Sequence, residues 1–153
     1  MIEGKDYFIC KKEDSKLMKF ISKLLFFNKT FMTDYVTTIG RTIYVPSGYI
    51  SSTTLRHELV HVADYNAHPV WFTLSYLLVL PIGWTMRAYW EKRGYEVTIR
   101  EDFAAFPSFV ESKRYKDWIT SIFTGPDYFY MCFSKKHIEK WFDSVVEKCK
   151  KGI

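Results

Sequence analysis

The hydrophobic and polar positions of the chain follow helical spacing in some segments and strand alternation in others. In residues 15–27, apolar side chains recur every three or four residues and lysines occupy the other face, which predicts an amphipathic helix. We interpret it as a surface helix that packs on its own domain, although basic amphipathic helices also lie on membranes or on partners. The apolar positions are Leu17, Phe20, Ile21, Leu24 and Leu25.

A β-hairpin is predicted next, and a helix after it. Residues 35–39 and 42–45 are rich in β-branched and aromatic side chains, and they flank the turn residues Gly40 and Arg41. Pro46 ends the second strand. A helix is then expected over about residues 54–66, with a cap from Ser51, Ser52 or Thr53.

The second half of the chain is predicted to be helical. We expect helices over residues 85–98, 116–123 and 135–150; Gly94 is the weak point of the first, and Pro107 interrupts any helix in residues 102–115. The last helix carries one apolar stripe that should dock it on the core. That stripe consists of Ile138, Trp141, Phe142, Val145, Val146 and Cys149.

Residues 65–86 form an uncharged, largely apolar segment that is long enough to be considered as a membrane span. Pro69, Pro81 and Gly83 interrupt it, however, and its best helical piece, residues 70–80, would reach only about 16 Å against about 30 Å of hydrocarbon. We therefore favour a buried helix or hairpin over a span.

Composition and charge restrict the class of protein. The chain has 153 residues, of which 48% are hydrophobic, 25% charged and 19% aromatic, so we expect one folded domain over residues 1–153. The net charge of +5 comes from dispersed lysines, so nucleic-acid binding is not expected. Three widely spaced cysteines and the absence of a signal-peptide pattern predict a cytoplasmic location.

The string His57-Glu58-Leu59-Val60-His61 is the strongest chemical signal. Residues four apart lie on the same face of a helix, so the two imidazoles project together and match two corners of a tetrahedral Zn²⁺ site. Glu58 lies about 100° further round the helix, where it can act on the attacking water as a general base instead of binding the metal. Asp64 shares the histidine face and is a candidate to orient an imidazole.

This string resembles the active-site helix of the zincin metallopeptidases, whose gluzincin branch takes its third zinc ligand from a glutamate on a following helix. Residues 86–95 resemble the E-x-x-A-Y pattern of small bacterial and phage HExxH proteins, with Gly94 in place of the alanine. The resemblance covers about residues 36–95. It implies that His57, His61 and Glu91 bind zinc and that Glu58 is the base.

Other residues remain alternatives for the third ligand. His68 lies seven residues after His61, whereas the metzincin pattern requires six. Asp64 lies on the histidine face, and Glu96 and Glu101 are further carboxylates near Glu91 in the sequence. We favour Glu91 among them.

The zincin resemblance also predicts where substrate would lie. Zincins hold an extended peptide against an edge strand, and the strand Thr42–Val45 occupies the corresponding place in chain order. An oxyanion stabiliser is also expected, for which the sequence offers several chemically able residues without choosing among them. They are Tyr89, Arg93, Tyr95, Tyr128 and His137.

The sequence therefore predicts an α+β, zincin-like domain with a hairpin, an HExxH helix, a glutamate-bearing helix and additional C-terminal helices. The expected function is zinc-dependent hydrolysis of peptide bonds in a peptide or protein substrate. One alternative is a non-catalytic, zinc-stabilised interaction protein, and another is a membrane-associated peptidase that uses residues 65–86.

Overall fold

A computed structural model of the chain describes residues 2–3, 6–26, 28–78, 86–126 and 130–153, of which residues 2, 3, 77 and 78 are described by their backbone only. The structure is α+β, with a small sheet and a larger helical part. Within the described residues, no helix is both long enough and apolar enough to cross a bilayer. The chain forms two compact units, Met1–Thr73 and Leu74–Ile153.

The first unit is built on a four-stranded sheet in the order β1-β2-β4-β3. Its strands are β1 (Ile2–Glu3), β2 (Phe8–Lys11), β3 (Thr37–Ile39) and β4 (Thr42–Val45). The predicted hairpin is confirmed, because β3 and β4 pair antiparallel across a two-residue turn. Gly40 has φ of 63° at the first turn position, as a type II′ hairpin turn requires.

The long helix α2 (Ser52–Ala67) packs on this hairpin. Its N-cap is Ser51, whose hydroxyl accepts a hydrogen bond from the Thr54 amide at 3.0 Å, which confirms one of the three predicted caps. Ile43 and Val45 alternate inward on β4 and meet Val62 of α2 in a buried apolar cluster. The sheet thereby supports one face of the HExxH helix.

A buried lysine lies just before the shorter helix α1 (Lys16–Leu24). Lys12, in a 3₁₀ turn over Lys12–Asp14, has no exposed surface. Its ammonium group donates to the Phe31 carbonyl at 2.6 Å and lies 3.8 Å from the centre of the Phe31 ring. Burial lowers the pKa of Lys12 to about 8, although the nearby Glu58 carboxylate acts in the opposite direction.

For the uncharged segment of residues 65–86, a buried helix or hairpin was favoured; its described residues form the end of α2, a short helix and a wider turn, and Val70 and Trp71 are exposed. Helix α3 spans Pro69–Thr73 in the first unit, and the second unit begins with a π-helical turn over Leu74–Leu78. Residues 79–85, with Pro81, Gly83 and Trp84, lie outside the described residues.

The second unit is otherwise a helical bundle of α4 (Met86–Ala105), α5 (Pro107–Val110), α6 (Lys113–Thr124) and α7 (Lys135–Lys150). The predicted bounds of α7 are confirmed, and its apolar stripe packs in the core with Ile99, Ile119 and Phe123. Helix α4 runs through Gly94 and ends at Ala105, beyond its predicted end at residue 98. The predicted interruption at Pro107 is confirmed, because α4 ends before this residue and Pro107 begins α5. Proline is tolerated in a first helical turn because the amide that it lacks would have no helical partner there.

Candidate metal centre

Helix α2 presents His57 and His61 one turn apart, and both side chains are buried. Their rings meet edge to face, with an interplanar angle of 75°, and their Nε2 atoms lie 3.3 Å apart. The two nitrogens that could donate lone pairs to a metal are therefore turned toward each other. The two imidazoles project from one face of the helix, as the sequence predicts.

The separation of these nitrogens fits zinc. Two ligands at about 2.05 Å from a tetrahedral ion, subtending about 109°, lie about 3.3 Å apart. A hydrogen bond between a protonated and an unprotonated Nε2 would also suit this distance. A metal site and a hydrogen-bonded histidine pair differ in one respect: a metal site needs a third ligand close to the two histidines.

Glu91 is held in a defined position on α4, where its side chain is buried. The Tyr76 hydroxyl donates to its Oε1 atom at 2.6 Å, and the Arg87 Nε atom lies 3.7 Å from the same oxygen. The indole of the adjacent Trp90 donates to Ser75 at 3.0 Å, so two hydrogen bonds fasten the π-helical turn to α4. This support fixes the carboxylate orientation, as a ligand residue requires.

His57, His61 and Glu91 each offer one ligand atom, and these atoms lie within 4.8 Å of one another. Within the described part of the chain, no other group of three or more histidine, cysteine, aspartate or glutamate side chains meets this condition. Two imidazoles and one carboxylate are the protein ligands of a known class of catalytic zinc site, in which the remaining position is left for water or substrate. The residues present thus fit a zinc ion.

The rival ligands lie elsewhere or have other roles. His68 is exposed at the C-cap of α2, where its amide donates to the Asp64 carbonyl at 3.0 Å. Glu96 pairs with Arg100 at 2.8 Å; burial raises the pKa of Glu96, but the contacts with Arg100 and Lys148 lower it overall. Asp64 is buried, but neither it nor Glu101 belongs to the three-residue group. The role of Asp64 in orienting an imidazole stays a prediction.

Glu58 is buried on the same helix and is fixed by the hairpin. Its Oε2 atom accepts a hydrogen bond of 2.7 Å from the hydroxyl of Thr38, the central residue of β3. The buried Lys12 ammonium also interacts electrostatically with this carboxylate. Glu58 is not a member of the ligand group, and its role as a base stays a prediction.

The structure differs from the sequence prediction for the substrate strand. Strand β4 lies between β2 and β3 and pairs with both, so its backbone groups are not available to a peptide. The prediction was wrong because β2 covers the other edge of β4. Strand β2 lies more than thirty residues earlier in the chain and pairs in parallel with β4, with Phe8 opposite Thr42. Among the described strands, β3 is the edge strand on the hairpin side.

The oxyanion candidates are found in different surroundings. Tyr95 is buried in the helical core against Phe123, which is an ordinary packing role. Tyr89 is half-exposed and stacks edge to face on Trp90, and Arg93 is exposed. Burial and the charges of Lys92 and Lys140 lower the pKa of His137. Tyr128 lies outside the described residues.

Three residues of the site environment were missed by sequence reasoning, namely Lys12, Thr38 and Tyr76. Only Thr38 carried a usable signal, because its place in the predicted hairpin makes it a candidate to face the next helix. Lysine and tyrosine at the other two positions match no spacing rule, since their partners are set by tertiary packing.

Comparisons with protein-family models, curated proteins and solved structures find no match to this chain.

Proposed function

We propose that this protein is a zinc-dependent peptidase whose metal is held by His57, His61 and Glu91. The proposal is carried by the ligand group itself, with histidine nitrogens 3.3 Å apart and all three ligand atoms within 4.8 Å of one another. A zinc ion held there would supply Lewis-acid polarisation of the scissile carbonyl and would acidify a coordinated water.

Glu58 is the proposed general base. It accepts the proton of the attacking water and later delivers that proton to the leaving amine. Its hydrogen bond from Thr38 leaves the second carboxylate oxygen for this exchange and limits rotation of the group.

The edge strand β3 is the proposed docking position for an extended substrate. Across the two-residue turn, Ile39 and Thr42 form a hydrogen-bonded pair, so Thr38 opposes Ile43 as a non-hydrogen-bonded pair. The backbone amide and carbonyl of Thr38 consequently face the open edge of the sheet, where a peptide can add as a further strand. The same residue holds Glu58 through its side chain, which would align the substrate with the base.

Metal content and hydrolysis measured on the same variants test the proposal. Glu58→Gln keeps the size of the side chain and its hydrogen bond with Thr38, so it should retain zinc while hydrolysis of an unfolded, labelled protein falls about 10²- to 10⁴-fold. His57→Ala should lose zinc and activity together. Glu111→Gln, the same change at an exposed position, is the matched control and should alter neither measurement.

The same experiment separates a peptidase from a zinc-stabilised interaction protein. Undiminished hydrolysis by Glu58→Gln, with full zinc content, would refute the mechanism. Zinc binding without hydrolysis in the wild-type protein, together with a lower melting temperature after chelation, would instead support a structural metal.

A further inference from the structure

Helix α1 turns only part of its apolar surface toward the protein. Met18 is fully buried, and Ile21 and Leu25 on the same side are half-buried. A second set of apolar residues lies about 100° further round the helix and is exposed. This set consists of Leu17, Phe20 and Leu24, with exposures of 43%, 59% and 60%, and we call it the apolar stripe.

Lysines form the next sector of the same helix. Lys16, Lys19 and Lys23 are exposed and are centred about another 100° beyond the apolar stripe. Helix α1 contains no acidic residue, and among the described residues no acidic side chain pairs with any of the three lysines. The nearest acids in the chain are Glu13, which pairs with Lys11, and Asp14 in the preceding turn.

The outer surface of α1 thus combines an apolar half and a cationic half that run parallel to the helix axis. Phe26, which is 81% exposed, lies two residues beyond the end of the helix. The helix packs on its own domain through Met18, Ile21 and Leu25, as the sequence predicts, but this packing covers only part of its apolar surface. Leu17, Phe20 and Leu24 instead remain available to an outside surface.

We propose that α1 is a membrane-surface helix that binds anionic lipid bilayers, with the apolar stripe inserted below the headgroups and the lysines at the phosphate level. Amphipathic helices with lysine on the polar side bind anionic lipid in this way. Long lysine side chains can reach headgroups while their stems cover apolar surface. Lysine is depleted in protein–protein interfaces, so three unpaired lysines beside the stripe favour lipid over a protein partner. The proposal is independent of the zinc site.

Vesicle co-sedimentation of the full chain tests the proposal. The wild-type protein should bind vesicles that contain phosphatidylglycerol and should bind pure phosphatidylcholine vesicles at least about tenfold more weakly, with binding to the anionic vesicles falling as salt is raised. Phe20→Ser should weaken binding about tenfold by removing the largest apolar group of the stripe. Replacing Lys16, Lys19 and Lys23 by glutamine should weaken it about fivefold for each lysine.

Matched controls keep the result interpretable. Phe133→Ser removes an aromatic side chain of equal exposure, 60% against 59% for Phe20, from a residue outside α1 and should bind like the wild type. All variants should keep the wild-type circular dichroism spectrum, since the changed residues are exposed. Failure of the wild type to bind anionic vesicles at low salt would overturn the proposal, as would equal binding by Phe20→Ser. Concentration-dependent dimerisation that Phe20→Ser abolishes, without vesicle binding, would assign the stripe to a second copy of the chain and would also overturn it.

Discussion

The buried lysine makes the stability of this protein depend on pH in a way that one substitution should remove. In the folded protein the pKa of Lys12 is lowered from 10.5 to about 8, chiefly because the ammonium group is removed from water. Between these two values the unfolded chain binds more protons than the folded one, so the free energy of unfolding should rise with pH. Lys12→Met keeps an unbranched side chain that is one atom shorter than lysine and removes the titration.

The size of the effect follows from the two pKa values. A single group that moves from 10.5 to 8 contributes about 3 kcal/mol over the whole titration, at about 1.4 kcal/mol for each pH unit of separation. Between about pH 6.5 and about pH 9.5, the wild-type protein should gain about 2 kcal/mol from this group alone. Lys12→Met also leaves the Phe31 carbonyl without its donor, which lowers stability at every pH. The informative quantity is therefore the difference in unfolding free energy between the wild type and the variant, and how that difference changes with pH.

Urea unfolding at both pH values, in the presence of a chelator, measures this difference without a contribution from metal binding. Lys29→Met, at an exposed lysine, is the control and should follow the wild-type pH profile. If Lys12→Met shows the same rise of unfolding free energy as the wild type, to within about 0.5 kcal/mol, Lys12 keeps its ordinary pKa and the description of it as a buried, partly desolvated cation is wrong.

Three further predictions concern the supports of the proposed metal centre. Tyr76→Phe removes the hydroxyl that donates to Glu91 and should weaken zinc affinity about 10- to 100-fold in a competition assay with a chromogenic chelator; Tyr49→Phe, at an exposed tyrosine, should not. Thr38→Val removes the donor to Glu58 and should lower kcat while zinc content stays constant; an unchanged kcat would show that this hydrogen bond does not position the base. Removal of zinc by a chelator should lower the melting temperature of the wild-type protein, and a melting curve that does not move would contradict metal binding by buried ligands.

The parts of the fold that follow local rules could be predicted from sequence. The hairpin depends on a glycine at a turn position that requires positive φ, and α7 depends on one apolar stripe with a serine N-cap. The HExxH helix likewise begins at a serine N-cap, and its sequence contains no proline or glycine that would interrupt it. In each case the residues that determine the element lie within it or next to it.

The parts that depend on distant partners could not be predicted. Strand β2 is only four residues long and pairs with β1 and, in parallel, with β4, which lies more than thirty residues later in the chain; no local pattern encodes this parallel pairing. The covered side of α1 could not be predicted either, because Met18 is not among the regularly spaced apolar positions of that helix and yet is the residue that is fully buried. Hydrophobic periodicity predicts that a helix is amphipathic, but packing decides which apolar residues are covered.

The supports of the candidate site imply that metal affinity and proton transfer can be changed separately. Glu91 is held by Tyr76 and Arg87, whereas Glu58 is held by Thr38 and faces Lys12, and the two sets share no residue. Changes at residues without shared partners usually combine additively. At saturating zinc the defect of Tyr76→Phe should therefore disappear while that of Thr38→Val remains. In the proposed mechanism the HExxH helix carries two of the ligands and the base, the third ligand lies on α4, and the two carboxylates are held by separate contacts.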